Sequence, residues 1–296
     1  MMIDAPAKNV TIPGHDGVRL NVWAFGDGPI DLIMAPGLGT PPITWKFVAK
    51  RFGRQFRIIT WEPRGLFASG VPEDRDKLRV EDHTADLFAI ARHFHVKKYV
   101  LGGWSMGVQI SLEAYHQQPR GVRALLLING APGRVLASAY GGLPGFEQTT
   151  KILCRLGEKH GRDVTPVISW ALSQPWTLPL LKRMQVFTEN AEFLEEMIRP
   201  FATMDFGVYS RMMYLTNEHD ASPYLPEVRV PTLITAGTKD LMTPVWLARR
   251  MAAAIPGAEL FIVPNGTHYT VAEYPDIVNL RLERFFRDHL PDVGLA

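Results

Sequence analysis

The chain has 296 residues, 46% of them hydrophobic and 21% charged, with 32 Lys and Arg against 30 Asp and Glu. That composition excludes a disordered chain, and the length suits one large domain or a domain with an insertion. A formal charge of +2 gives no electrostatic case for nucleic acid. One cysteine, Cys154, allows no internal disulfide, no Cys/His cluster has zinc spacing, and no apolar run approaches the ~18 residues of a membrane span. The start, Met1 to Pro6, lacks a basic region followed by an apolar run, so a cytoplasmic location is expected.

Taken in chain order, short β-branched runs alternate with amphipathic patterns, the signature of a mostly parallel α/β sheet of about eight strands. His15 lies in an N-terminal hairpin region. Asp31 to Ala35 predicts a strand that ends in the loop Pro36-Gly37-Leu38-Gly39. Trp45, Val48, Ala49 and Phe52 then share one helix face. Phe56 to Trp61 predicts the next strand, and Leu87, Ile90, Ala91 and Phe94 another helix face. Tyr99 to Leu101 predicts a strand, followed by a helix from Met106 to about His116 and a strand from Ala124 to Ile128. The rhythm resumes with a strand at Thr232 to Thr235 and a helix at Thr243-Pro244, where Thr suits a cap. A last strand, Glu259 to Val263, precedes a helix opening at Pro275.

Between Pro132 and Val228 the rhythm fails. That stretch has helical spacing, several prolines and many aromatic and methionine residues, including Trp170, Trp176 and Met213. It reads as a helical insertion, residues 132–228, in a core made of residues 1–131 and 229–296. Most of its large apolar residues are expected to form a small core of their own, and a minority to line the space above the sheet.

The sharpest chemical signal is Gly103-Trp104-Ser105-Met106-Gly107, which follows a predicted strand and precedes a helix. A glycine-x-serine-x-glycine turn in that context forces the serine into a strained backbone and lifts its hydroxyl from the sheet edge at a helix N-terminus. A hydroxyl needs a base, and the base a carboxylate to orient it. Of nine histidines, His268 follows the final strand, and Asp240 follows the strand at Thr232. Both loops open on the edge that carries Ser105.

These residues, in the order Ser105, Asp240, His268, resemble the α/β-hydrolase family, and the resemblance covers nearly the whole chain. It implies a helical cap after the sixth strand, a catalytic triad of the three residues, and an oxyanion hole from the backbone N–H groups of Leu38 and Met106. Pro36-Gly37 stands where the family often has His-Gly. Residues 128–134 hold no carboxylate, so the acid is expected at Asp240, with Glu62 next in line. The stretch Glu62 to Gly70 resembles a structural Asp-x-Arg-Gly turn of the family. Ser105 at the elbow disfavours members that use an aspartate nucleophile.

The resemblance implies an esterase or lipase-like serine hydrolase acting on an apolar or aromatic small molecule, with no metal or organic cofactor. The same machinery in relatives cleaves lactones, amides, prolyl bonds, thioesters or carbon–carbon bonds, or runs cofactor-free peroxidation. A non-catalytic ligand-binding member is the reading from another class. Trp45 and Trp104 are candidates for the pocket wall or the core. Of Trp170, Trp176 and Met213, some are expected to line the pocket and the rest to pack within the cap.

Overall fold

The computed structural model describes residues 7–295; the leader argument from Met1 to Pro6 lies outside them. Eight strands form one sheet in the order β1 (Ala7–Pro13), β2 (Arg19–Phe25), β4 (Phe56–Trp61), β3 (Ile30–Ala35), β5 (Tyr99–Trp104), β6 (Val122–Ile128), β7 (Thr232–Gly237), β8 (Glu259–Val263). β2 runs antiparallel to β1 and β4, and every other pairing is parallel. The central strands are buried on both faces, so Leu125, Leu126, Leu127 and Ile128 run without polar alternation.

Helices α1 (Lys46–Phe52), α2 (Val80–His93) and α3 (Met106–Gln117) follow β3, β4 and β5. Between β6 and β7 lie α4 (Val135–Ser138), α5 (Phe146–Lys159), α6 (Gly161–Leu172), α7 (Thr177–Arg183), α8 (Ala191–Phe201) and α9 (Phe206–Glu218). After β7 come α10 (Val245–Ala254), α11 (Thr270–Glu273) and α12 (Pro275–His289). Among the described helices none is long and apolar enough to cross a membrane.

The stretch between β6 and β7 is helical as its spacing predicts, and much of its buried apolar surface joins the two sheet-face clusters. Met204, Val208, Met212 and Leu215 pack into the cluster on one sheet face with Val108 and Met106. Phe187, Phe193, Leu194 and Met197 join the cluster on the other face with Trp45 and Phe52. The two sheet faces supply more apolar area than short helices can offer one another, so these side chains are buried against the sheet layers.

Register brings the site together. Ala35 pairs with Gly103, Trp104 with Ile128, Ile128 with Thr235, and Gly237 with Val263. The carboxyl ends of β3, β5, β6, β7 and β8 therefore align, and the loops that follow them open on one edge.

Candidate active site

β5 runs three residues beyond its predicted end, through Gly102 and Gly103 to Trp104, and Ser105 turns at once into α3. Ser105 has φ 57° and ψ −117°, a conformation costly for a non-glycine residue. It is held by its N–H to the Ile128 carbonyl at 3.0 Å. The glycines permit the close crossing: a Cβ on Gly103 would overlap the Gly107 carbonyl, and a Cβ on Gly107 would overlap that of Ala35. Met106 opens α3, so its N–H is among the first of the helix and has no intrahelical acceptor.

Asp240 is almost fully buried and saturated with donors. Its Oδ1 accepts from the N–H groups of Met242 at 2.9 Å and Thr243 at 2.8 Å. Its Oδ2 accepts from Thr243 Oγ1 at 2.8 Å and Asn129 Nδ2 at 3.2 Å, and lies 2.9 Å from His268 Nδ1. Burial alone would raise its pKa. The charge and hydrogen bond of His268 and the hydrogen bonds of Thr243 outweigh that and hold the carboxyl below its ordinary range. Thr243 thus serves the carboxylate rather than capping α10, whose N-cap is Pro244.

The His268 loop is braced from two sides. Trp104 Nε1 donates to the His268 carbonyl at 2.8 Å, with the two rings 5.2 Å apart. Glu273 Oε2 accepts from the Thr267 N–H at 2.8 Å and its hydroxyl at 2.9 Å. Asn129 Nδ2 also donates to the Thr267 carbonyl at 3.1 Å, and Thr270 Oγ1 donates to Asn129 Oδ1. Sequence reasoning missed the site roles of Asn129, Thr243 and Glu273: Asn129 follows β6, Thr243 lies in the loop after β7 and Glu273 ends α11, and isolated polar residues carry no spacing signal.

Ser105, His268, Leu38 and Met106 line one cavity of about 240 Å³. Among the described residues no hydrogen bond joins Ser105 directly to His268; such contacts often tighten only when substrate binds. The cavity wall is mostly apolar, with Leu181, Phe187, Met197, Phe201 and Tyr209 from the segment between β6 and β7. Among its described lining residues there is no Lys, Arg, Asp or Glu.

The pocket candidates divide. Trp104 and Met213 line the cavity. Trp45 does not: it is 1% exposed and packs in the core beneath α1. Trp170 and Trp176 do not either, being 63% and 50% exposed. They follow the helical periodicity of the insertion, which cannot tell an outer face from an inner one when both are apolar.

Glu62, the alternative acid, is buried outside the cavity and accepts from the Ala68 N–H at 2.7 Å; burial raises its pKa. In the same turn Arg64 is fully buried, with Nε 2.7 Å and Nη2 2.6 Å from the two Asp86 oxygens. Among the described residues, His15, Asp16 and Asp86 alone are spaced for a metal ion, and Arg64 sits among all three. A guanidinium already occupies the place a cation would take.

Comparison with known proteins gives this arrangement its setting. The chain is 28% identical over 258 residues to an N-formylmaleamate deformylase of Pseudomonas putida, covering 86% of this chain and 87% of that one. It is 24% identical over 265 residues to a putative carbamate hydrolase of Agrobacterium fabrum, covering 86% and 92%. Among solved structures, an esterase from Exiguobacterium antarcticum superposes with a TM-score of 0.77 at 18% identity, covering 95% of this chain and 100% of that one. The enol-lactonase of Burkholderia xenovorans superposes at 0.74 and 20% identity, covering 94% and 100%. The model of the alpha/beta hydrolase family matches residues 32–280, and the chain belongs to that family.

Proposed function

We propose that the protein is a serine hydrolase that cleaves a carboxylic ester of a small, uncharged, apolar or aromatic molecule through an acyl-enzyme on Ser105. One observation carries this reading: the strained Ser105 shares a cavity with a His268 whose far nitrogen lies 2.9 Å from the buried Asp240. In the proposed reaction His268 takes the Ser105 proton as Oγ attacks the acyl carbon, then gives it to the departing alcohol. Asp240 holds the imidazole and balances its positive charge. The N–H groups of Leu38 and Met106 take the charge that develops on the carbonyl oxygen. Water, deprotonated by His268, then releases the acid and frees Ser105.

The cavity supports the substrate class. An apolar wall without a cation gives a carboxylate no partner, and burying an unpaired charge is costly. We therefore carry over acyl cleavage from the curated relatives, but not an anionic substrate such as N-formylmaleamate. A volume of about 240 Å³ lies below the roughly 300–1,000 Å³ of drug-sized sites, which favours short acyl chains. In this reading residues 132–228 act as the cap that sets acyl size.

The names of the deformylase and the putative carbamate hydrolase support a second reading, cleavage of a C–N acyl bond by the same groups. A kinetic screen of p-nitrophenyl esters, lactones, N-formyl amides and aryl carbamates separates the two. Highest kcat/KM on short p-nitrophenyl esters, lost in Ser105→Ala, is the expected result. Turnover confined to amides or carbamates would replace the ester reading with the second.

A further inference from the structure

Away from Ser105 and His268, one polar side chain of the cavity wall is backed by a buried chain of polar groups. Gln109 lies on α3 one turn beyond Ser105, so the two Cα atoms are separated by about 6 Å along the helix axis. Gln109 is 2% exposed, yet it lines the cavity. Its Oε1 lies 3.1 Å from His219 Nδ1, and His219 Nε2 lies 3.1 Å from Glu113 Oε2. Glu113 Oε1 in turn accepts from Gln117 Nε2 at 2.8 Å. His219 and Glu113 are buried as well, and the hydrogen bond from His219, opposed by burial, holds the Glu113 carboxyl below its ordinary range.

The imidazole thus lies between two side-chain oxygens, Gln109 Oε1 and Glu113 Oε2. With Oε1 on His219, Gln109 is left with its Nε2 donor. Among the described residues no hydrogen bond uses Nε2. The threonine hydroxyls of the same wall are engaged within it: Thr40 with the Gly37 carbonyl, Thr216 with Met106 Sδ, and Thr243 with Asp240. Three buried polar groups in a row, ending at a mostly apolar cavity, are expensive unless the last one finds a partner.

We propose that Gln109 Nε2 is the donor of a substrate subsite for an uncharged oxygen acceptor, an ether or carbonyl oxygen on the acyl portion, with His219 and Glu113 as positioning residues. The acceptor is uncharged because the described lining residues include no Lys or Arg. This inference rests on the ester-hydrolase reading and narrows its substrate class: an acyl group with an apolar body and one oxygen at a fixed distance from the scissile carbonyl. Gln109 selects the substrate and does not take part in bond breaking.

An oxygen scan tests it. p-Nitrophenyl hexanoate is compared with its 3-oxa, 4-oxa and 5-oxa isosteres, each kcat/KM divided by the hydroxide hydrolysis rate of the same ester. The wild type should favour one position over the hydrocarbon by roughly three- to tenfold, the worth of one net neutral hydrogen bond. Gln109→Leu should flatten that profile. His219→Leu, which removes the partner of Oε1 and lets the amide turn, should lower the same peak; a purely structural defect would scale all four esters together. A flat profile in the wild type overturns the proposal, whether or not the variants fold, and so does a peak that survives in Gln109→Leu. If the wild type hydrolyses none of the four, the ester reading fails instead. The subsite is then read from binding of the matching methyl ketones by ligand-observed NMR, with the same peak expected in the wild type and the same loss in Gln109→Leu.

Discussion

Trp104 reaches past Ser105, the proposed nucleophile it precedes in sequence, and holds the loop of the proposed base: its Nε1 donates to the His268 carbonyl at 2.8 Å. The strand that delivers Ser105 and the loop that delivers His268 are thereby tied to each other independently of substrate. Trp104→Phe keeps a ring against His268 and deletes the donor, leaving a buried carbonyl unpaired. We expect a stability loss of about 1–3 kcal/mol in denaturant unfolding, and a fall in kcat larger than the change in KM. Unchanged stability and kcat would show that the loop is held without this bond.

Thr243 donates to the same Asp240 oxygen that faces His268, and its own oxygen lies 3.3 Å from His268 Nδ1. Thr243→Val preserves shape and removes the hydroxyl. Asp240 then loses one of the hydrogen bonds that hold its pKa down, so its pKa should rise. A carboxylate with a depressed pKa stabilises the fold above its unfolded value and loses that contribution as pH falls through the folded one. Acid unfolding of Thr243→Val should therefore begin at higher pH than in the wild type. Superimposable acid unfolding curves would contradict the account.

His83 on α2 makes a second pH prediction. Among the described residues it is fully buried with no hydrogen-bond partner for either ring nitrogen, and burial, with the charges of Arg64 and His15, lowers its pKa to about 3. Between about pH 3 and 6.5 the unfolded chain binds a proton there that the folded one does not. Stability should rise with pH across that window, by at most about 1.4 kcal/mol per unit from this group. His83→Leu should flatten that part of the curve, measured as urea midpoints at pH 4, 5, 6 and 7. An undiminished slope would place the linkage elsewhere.

Cap substitutions should divide by where the side chains lie. Phe201 and Met213 line the cavity, so Phe201→Ala or Met213→Ala should shift relative kcat/KM among acyl chains by about ten- to two-hundredfold. Trp170→Ala and Trp176→Ala change exposed side chains, and should leave the chain-length profile flat and stability within about 0.5 kcal/mol. A p-nitrophenyl ester series beside thermal melts reads both. A changed profile in Trp170→Ala would mean that the outer helices close over the substrate.

Much of this was legible because strands and tight turns constrain sequence locally. Phe56 to Trp61 and Glu259 to Val263 are strands at their predicted bounds, and the glycines around Ser105 announce a crossing in which two backbones touch. The insertion was legible as helices but not as packing. Trp45, Trp170 and Trp176 share the same apolar chemistry as Trp104 and Met213, and only tertiary placement separates a core residue, an exposed one and a cavity wall. Asn129 and Gln109 were illegible for a related reason. A polar residue beside a strand end or on a helix has no periodic mark, and its meaning comes from partners more than a hundred residues away, Asp240 and His219.

The central claim is that Ser105 is the nucleophile activated by His268 and Asp240. The most direct measurement is intact-mass spectrometry after incubation with a fluorophosphonate, followed by peptide mapping, on the wild type, Ser105→Ala, His268→Ala and Asp240→Asn. The account predicts one adduct per wild-type chain, mapped to Ser105, none in Ser105→Ala, and labelling slowed by orders of magnitude in the other two variants. Labelling of another residue, or of Ser105 at the wild-type rate without His268, would contradict it.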